Sequence, residues 1–314
     1  MKKLVIACIS PIRNIEGLEK YLESFAKVYY ELWEKKSHAI EIIIRQECNT
    51  IFVNPNRLTY RLDEEILQYG IEIICTASTG MNHIDLEYCE QNDIKVISLT
   101  KELEVIEKIT STAEHAFALM MALIRNIPSS FDSVKAGEWD YCPFVGRQID
   151  QLKIGIVGYG RLGKIFYRYA KAFAKEVIVC DPYVKTSVCH QKSLQEVFSE
   201  CDVVSLHVHV TPETKGMINK DVISKPIYLV NTSRGEIVNE EDIIYLLKSR
   251  KILGYATDVV ADEFGNVKNS ELIEESRHRD NLIVTPHIGG MTKDAQKIAY
   301  HHAAFLLYKL RNGE

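Results

Sequence analysis

The chemistry-bearing stretch that stands out in this chain is Ile154-Gly155-Ile156-Val157-Gly158-Tyr159-Gly160-Arg161-Leu162-Gly163. It sets a G-x-G-x-x-G spacing between an apolar run and a helical pattern over residues 164–174. Each glycine has a physical task in such a turn. Gly158 allows a tight reversal, Gly160 leaves out a side chain that would block a pyrophosphate, and Gly163 lets helix and strand pack closely. The helix N-terminus then offers backbone N–H groups and a favourable dipole to phosphate oxygens. The next apolar run ends at Asp181-Pro182, at the distance where a carboxylate accepts ribose hydroxyls. A carboxylate there repels a 2′-phosphate, so NAD is expected over NADP. An Asp-Pro pair is also a common turn starter. Glycines that merely turn a strand into a helix are the bland alternative.

Three later segments end in reactive or polar residues: Asn231-Thr232-Ser233-Arg234-Gly235-Glu236-Ile237-Val238, Ala256-Thr257-Asp258-Val259 through Glu263, and Thr285-Pro286-His287-Ile288-Gly289-Gly290. Each begins at the end of an expected strand, the edge of an α/β sheet where ligands sit. Together with residues 158–181, this ordered set resembles the D-isomer-specific 2-hydroxyacid dehydrogenase family. The resemblance runs through essentially the whole chain. It includes Ser78-Thr79-Gly80 with Asp85, Thr112-Ala113-Glu114-His115, Gly137-Glu138-Trp139, and Leu206-His207 with Pro212 and Thr214.

The resemblance implies an oxidoreductase that moves a hydride between NAD(H) and C2 of a D-2-hydroxy acid or its 2-keto acid. Such a reaction also needs a proton at the carbonyl oxygen, and histidine is the usual acid near neutral pH. His287 matches that role. Glu263 matches its carboxylate partner, since a paired carboxylate raises an imidazole's pKa and holds its orientation. Arg234 has the planar fork that suits a carboxylate and polarises a keto oxygen. Backbone N–H groups of Ser78, Thr79 and Gly80 are matched to the substrate carboxylate. The implied cofactor set is Gly158 to Gly163, Asp181, Pro182, His207, Val208, Thr214, Thr232, Ser233, Asp258, His287 and Gly289. For Asp258 two roles stand side by side, acceptor for the nicotinamide amide or anchor of its loop.

Two series of strand and helix patterns must position these residues. In the first, strands are expected at residues 4–9, 40–45, 51–53, 71–76 and 96–98, with helices at 18–33, 63–69 and 85–92. A long helix follows over 111–125, then an irregular arm over 136–151 rich in Gly and Pro. The second series expects strands at 154–157, 177–180, 203–207, 228–231, 254–257 and 282–284, and a last helix over 289–310. The expected fold is α/β: two doubly wound Rossmann-like domains with parallel sheets and a cleft between them. Residues 1–103 with 289–314 would form the substrate domain, and 104–288 the NAD domain. The 111–125 helix and the arm are candidate contacts of a homodimer by resemblance.

Composition bounds the alternatives. The 314 residues are 46% hydrophobic and 26% charged, with net charge -5. That is an ordinary globular balance with no basic excess for a nucleic-acid partner or a membrane surface. No run approaches a membrane helix in length. The opening Met1-Lys2-Lys3 and apolar Leu4 to Cys8 read as a first strand, because Pro11, Arg13 and Asn14 follow at once. The eight cysteines are scattered without a CxxC pair, which suggests reduced thiols in the cytoplasm and no zinc site. His207 and His209 share a strand face but lack a third ligand, so no metal is expected. His115 is assigned to a helix–helix contact, and His301 and His302 to the surface.

Departures from the family pattern fall around the substrate. Phe264 stands where a proline usually follows the glutamate. Thr76 stands where phosphoglycerate-acting members often carry arginine, and Asn54 adds no charge; Arg13 or Arg57 would have to substitute. Tyr60, Met81 and Leu103 are the expected pocket side chains. The rival reading is an NAD(H)-sensing, corepressor-like binding protein on the same fold, which would not need Arg234, Glu263 and His287. A further rival, oxidation of formate or phosphite, lacks support in Thr285-Pro286-His287.

Overall fold

A computed structural model describes residues 3–32, 34–261, 263 and 267–313. The chain forms two compact units, Met1–Ile109 with Gly290–Glu314, and Thr110–Gly289.

The first unit is built on five parallel strands: β1 (Val5–Ile9), β2 (Lys27–Tyr29), β3 (Thr50–Val53), β4 (Ile73–Thr76) and β5 (Lys95–Ile97), in the order β2-β1-β3-β4-β5. The order reverses between β1 and β3, where Ile6 pairs with Thr50 and Ile9 with Val53. Every residue of β3 is buried, as expected for a central strand covered on both faces. The last helix, Lys293–Asn312, covers one face with Ala299, Tyr300, Ala303, Ala304 and Leu307. These positions recur at helical spacing, and the alanines let the helix come close. The Cys75 thiol reaches the Ala303 carbonyl at 3.3 Å.

Two expectations for this unit are corrected. Residues 40–45 are not a strand but part of the helix Lys36–Gln46. The β-branched run Ile42-Ile43-Ile44 suggested a strand, yet the buried positions Ala39 and Ile43 lie one helical turn apart, and that packing overrides local propensity. The expected helix over 18–33 is only Leu18–Glu23, and β2 follows it. Val28 and Tyr29 pair with Ile6 and Ala7 of β1, so the sheet claims a segment whose apolar content was compatible with either state. Trp33 lies outside the described residues.

The second unit holds seven parallel strands: β6 (Lys153–Val157), β7 (Glu176–Cys180), β8 (His190–Gln191), β9 (Val203–Leu206), β10 (Ile227–Asn231), β11 (Ile252–Thr257) and β12 (Leu282–Val284). Their order is β12-β11-β10-β9-β6-β7-β8. The switch point falls between β6 and β9, the place where doubly wound sheets open a crevice at their carboxyl ends. Helix Ser111–Ile124 packs Ala113, Ala116, Leu119, Met120 and Leu123 against one face. Helices Leu194–Glu200 and Glu240–Lys248 cover the other. The two parallel-sheet α/β domains expected from the sequence are therefore present. Two-residue β8 was not anticipated; it is too short to leave a periodicity. The arm after helix Ile127–Lys135 is irregular, with short turns at Cys142–Phe144 and Ile149–Gln151.

Candidate active site

The glycine turn lies between β6 and helix Arg161–Phe173. Gly158 has φ +96, and a Cβ there would stand 2.6 Å from the His207 carbonyl and 2.8 Å from Val208 Cγ1. The turn is thus pressed against the His207–Val208 segment that leaves β9. A Cβ on Gly163 would meet the Gly158 carbonyl at 2.0 Å, so this glycine sets the close approach of helix to turn. Gly160 is different, since a Cβ there would meet nothing within 4 Å. Protein packing explains Gly158 and Gly163 but not Gly160, whose bareness keeps open the space in front of the helix N-terminus. As N-cap, Gly160 has no side chain to cap the amides of the first turn, which Arg161 and Leu162 open.

Asp181 ties the turn to its neighbour. Its Oδ2 accepts from the Tyr159 amide at 2.6 Å, and Oδ1 accepts from Tyr183 and Val184 at 2.9 and 3.0 Å, across the exposed Pro182. The turn-starter role raised by its Asp-Pro pair is therefore real. Lone pairs remain on Oδ2 for ribose hydroxyls. His207 lies against Phe166, ring centroids 4.9 Å apart, with Nε2 at 2.9 Å from Ser205 Oγ. Burial pushes its pKa down to about 3, so it is neutral. Thr214 Oγ1 donates to the His209 carbonyl at 2.6 Å and closes the loop beyond.

At the end of β10, buried Asn231 organises the loop. Its Oδ1 accepts from the Ser233 amide and hydroxyl at 3.0 and 2.8 Å, and its Nδ2 donates to the Arg234 carbonyl at 2.9 Å. The Thr232 hydroxyl is buried without a hydrogen-bond partner among the described residues. Arg234 is half-buried and donates from Nη1 to the Ser233 carbonyl at 2.6 Å. Among the described residues no carboxylate pairs with its guanidinium. A Cβ on Gly235 would lie 2.0 Å from the Val260 carbonyl carbon and 2.2 Å from the Ala261 amide. Only glycine lets the Arg234 loop dock on the segment that leads to Glu263.

Glu263 and His287 come from two further strand ends. Glu263 Oε2 lies 2.7 Å from His287 Nδ1. Glu263 Oε1 also accepts from the Val260 amide at 3.3 Å, and Glu240 accepts from Ala261 at 2.7 Å, fixing the loop that carries it. His287 has φ +52, a strained setting for a non-glycine residue. Asp258, 2% exposed, holds that loop. Its carbonyl accepts from the His287 amide at 3.0 Å. Its Oδ1 accepts from Ile288 N at 2.8 Å and Thr285 Oγ1 at 2.6 Å, and Oδ2 accepts from Gly289 N at 2.7 Å. Burial pushes the Asp258 carboxyl upward, but the bonds from His115, Thr285, Ile288 and Gly289 outweigh it and hold the pKa below the ordinary value. Of its two expected roles the loop anchor is the observed one, and Oδ2 retains capacity for another donor.

In the first unit, β4 runs into Ser78–Gly80. The carbonyls of all three residues are taken internally, by Leu99 N at 3.1 Å, Thr100 Oγ1 at 3.1 Å and Ser78 Oγ at 2.7 Å. Among the described residues none of their three amides donates a hydrogen bond. Consecutive amides without an internal acceptor can hold an anion. Thr76, fully buried, bonds Ser78 Oγ at 2.9 Å and His83 Nε2 at 3.1 Å behind the loop.

Several assignments change. His115 is not a helix–helix contact; its Nε2 reaches Thr285 Oγ1 at 3.0 Å and Asp258 Oδ1 at 3.3 Å. His302 is not simply at the surface but pairs with Glu102 at 2.7 Å, largely covered. Arg13 is committed to Glu31 at 2.6 Å. Asn54 is buried, with Nδ2 on the Ala77 carbonyl at 2.9 Å. Tyr60 is buried and donates to Leu32 O at 2.6 Å, whereas Leu103 is exposed. The Arg57 side chain, and Phe264 with residues 265 and 266, lie outside what is described. Asn231, Glu240 and Thr285 were missed as site residues. Nothing in residue type or spacing separates them from ordinary loop polar groups, although Asn231 and Thr285 do open the quoted segments. Among the described residues no group of three His, Cys, Asp or Glu could hold a metal, and no helix is long and apolar enough to cross a membrane.

The bare Gly160, the unpartnered Thr232 hydroxyl and the spare capacity of Asp181 fit a dinucleotide. Residues 117–289 match the profile of the D-isomer specific 2-hydroxyacid dehydrogenase family, NAD binding domain. The chain is 33% identical to D-3-phosphoglycerate dehydrogenase of Synechocystis sp. over 76% of its own length and 43% of that relative's. It is 30% identical to glyoxylate reductase of Pyrococcus furiosus over 99% of its length and 93% of the reductase. The match spans less than half the length of the phosphoglycerate dehydrogenases it resembles. Among solved structures, D-lactate dehydrogenase from Aquifex aeolicus, complexed with NAD and lactic acid, superposes with a TM-score of 0.81 at 28% identity, covering 98% of this chain and 96% of that one. Fold and site together define a doubly wound α/β protein with a dinucleotide-binding turn. The chain belongs to the D-isomer specific 2-hydroxyacid dehydrogenase family, and its second unit carries that family's NAD-binding domain.

Proposed function

We propose that this chain is an NAD-dependent oxidoreductase that interconverts a D-2-hydroxy acid and its 2-keto acid. The carrying observation is the 2.7 Å Glu263–His287 pair on the same sheet edge as an Arg234 that has no carboxylate partner among the described residues. Bound NADH supplies the hydride that the keto carbon receives. The chain's residues supply the rest. With Nδ1 held by Glu263, proton transfer to the carbonyl oxygen falls to His287 Nε2, and the carboxylate stabilises the charged ring before the proton leaves. In the reverse direction the same nitrogen takes the proton of the hydroxyl. Arg234 receives the substrate carboxylate in a two-pronged hydrogen bond and polarises the keto oxygen. Within the first unit, the amides of Ser78, Thr79 and Gly80 are donors suited to an anion. Toward NAD, Gly158 to Gly163 would hold the pyrophosphate, Asp181 and Pro182 the ribose, and His207 and Val208 the adenine side, with Thr214, Thr232, Ser233, Asp258 and Gly289 completing the site. The first unit is the substrate domain in this reading.

The relatives named above act, by their names, on phosphoglycerate, glyoxylate and lactate, all 2-hydroxy or 2-keto acids. The test is loss of NADH absorbance with glyoxylate, pyruvate, hydroxypyruvate and its phosphate, scored by kcat/KM. Turnover of at least one is expected. Tight NADH binding without turnover of any would leave the sensing protein as the better reading.

The proposal extends to a cytoplasmic homodimer. All eight cysteines are free, which suits a reducing compartment. Seven of the 14 residues of helix Ser111–Ile124 are buried in its own unit. The exposed apolar side chains are instead Ile127, Phe131 and Val134 on the next helix, and Trp139, Tyr141 and Val145 in the arm, with Trp139 90% exposed. Exposed apolar groups gathered in one stretch of chain mark interaction surfaces.

A further inference from the structure

His115 sits in the second turn of helix Ser111–Ile124, an element fixed along its length by buried Ala113, Ala116, Leu119 and Met120. Its Nε2 lies 3.0 Å from Thr285 Oγ1 and 3.3 Å from Asp258 Oδ1. The Thr285 hydroxyl spends its one hydrogen on Asp258 Oδ1 at 2.6 Å, so toward His115 it can only accept. The imidazole therefore carries its proton on Nε2 and donates to both oxygens. Asp258 in turn receives three consecutive amides, those of His287, Ile288 and Gly289, on its carbonyl, Oδ1 and Oδ2. The same helix touches the loop again, because a Cβ on Gly289 would lie 3.3 Å from Thr112 Cγ2 and 2.9 Å from Asp258 Oδ2.

We infer that His115 is a positioning residue that sets His287 through the Asp258 carboxylate, holding the strained 287–289 backbone in the one conformation that presents the imidazole to its Glu263 partner. A non-glycine residue at φ +52 persists only where its surroundings over-determine it. The surroundings here are a buried carboxylate, and a buried carboxylate is fixed by its donors. His115 and Thr285 are the side-chain donors; the others belong to the loop being held. The depressed Asp258 pKa agrees with a carboxylate that stays charged for this task. The inference rests on the reading of His287 as the proton-transfer group.

The test compares His115→Leu, which removes the donor at similar bulk, with His115→Gln, which keeps an N–H donor at nearly the same reach. His115→Asn, polar but too short, replaces the first should Leu impair folding. In the donor-less variant kcat should fall about ten- to a hundredfold, the scale of a small misplacement at a reacting group. KM for the keto acid should stay near wild type, and Gln should recover most of the kcat. The ring resonances of His287, assigned by their loss in His287→Asn, should move in the donor-less variant and return with Gln. A wild-type kcat without the donor, equal losses in Leu and Gln together with a lower Tm, or unmoved His287 resonances would each overturn the inference. If wild-type protein turns over no keto acid, the enzymatic reading fails, while the His287 resonances still decide what His115 does.

Discussion

Glu263 and His287 are 24 residues apart in sequence and come from different strand ends, yet the Glu263 Oε2 to His287 Nδ1 distance is 2.7 Å. A carboxylate on Nδ1 fixes which nitrogen faces the reaction and supports the charged ring. Replacing His287 by Asn should therefore lower kcat about 10²–10⁴-fold, the span of a lost general acid. Glu263→Gln, which keeps a hydrogen-bond acceptor but no charge, should lose less, with its NADH binding intact. Steady-state kinetics beside NADH fluorescence titration of the Glu263→Gln variant checks this; a Glu263→Gln enzyme at wild-type kcat contradicts the pair's role.

Arg234 is expected to resist conservative replacement. Its fork matches a carboxylate and a lysine does not. Arg234→Lys should lower kcat/KM by about tenfold or more, a loss of at least ~1.4 kcal/mol in transition-state binding, with unchanged NADH affinity. Near-wild-type kcat/KM in the Lys variant would mean that the guanidinium meets no substrate carboxylate.

The glycines separate packing from ligand binding. Gly163→Ala forces a Cβ to 2.0 Å from the Gly158 carbonyl and should lower Tm clearly. Gly160→Ala puts its Cβ in open space in the protein alone, so Tm should fall less than in Gly163→Ala while NADH affinity drops. Parallel thermal melts and NADH titrations decide; equal NADH affinity in Gly160→Ala and wild type would refute a pyrophosphate in that space.

Acid should destabilise the protein through His207. Its pKa falls from an ordinary 6.5 to about 3 on burial. Between those values the unfolded chain binds a proton that the folded chain refuses. This contribution to stability is fully present above 6.5 and is lost as pH falls toward about 3. Asp258, with its lowered pKa, adds a loss of the same sign at lower pH, from the ordinary carboxylate value down through its depressed one. Tm should decline as pH falls below 6.5, and His207→Gln should flatten that decline. Identical pH slopes in the two proteins would contradict it.

The apolar side chains at Phe131 and Trp139 are expected to lie in a subunit contact. Sedimentation velocity should show a dimer for wild type and a monomer for Phe131→Asp/Trp139→Asp. A monomeric wild type at micromolar concentration would end the homodimer reading.

The glycine spacing with its strand, helix and Asp181 carried the dinucleotide fold in residue order, because each part acts on its sequence neighbours. The order Arg234, Glu263, His287 is legible as a proposed catalytic set for a different reason: parallel strands deliver successive loops to one edge. Local pattern failed where a partner element decided the outcome. Helix Lys36–Gln46 looked like a strand until burial of Ala39 and Ile43 settled its period, and β2 was hidden in an expected helix until β1 paired with it. The tertiary structure alone could show that His115 reaches Asp258 across the sheet edge, that Arg234 has no internal carboxylate among the described residues, and that Gly160 is the one glycine of its motif that packing does not require. Those facts depend on distances between segments far apart in sequence, which no spacing along the chain encodes.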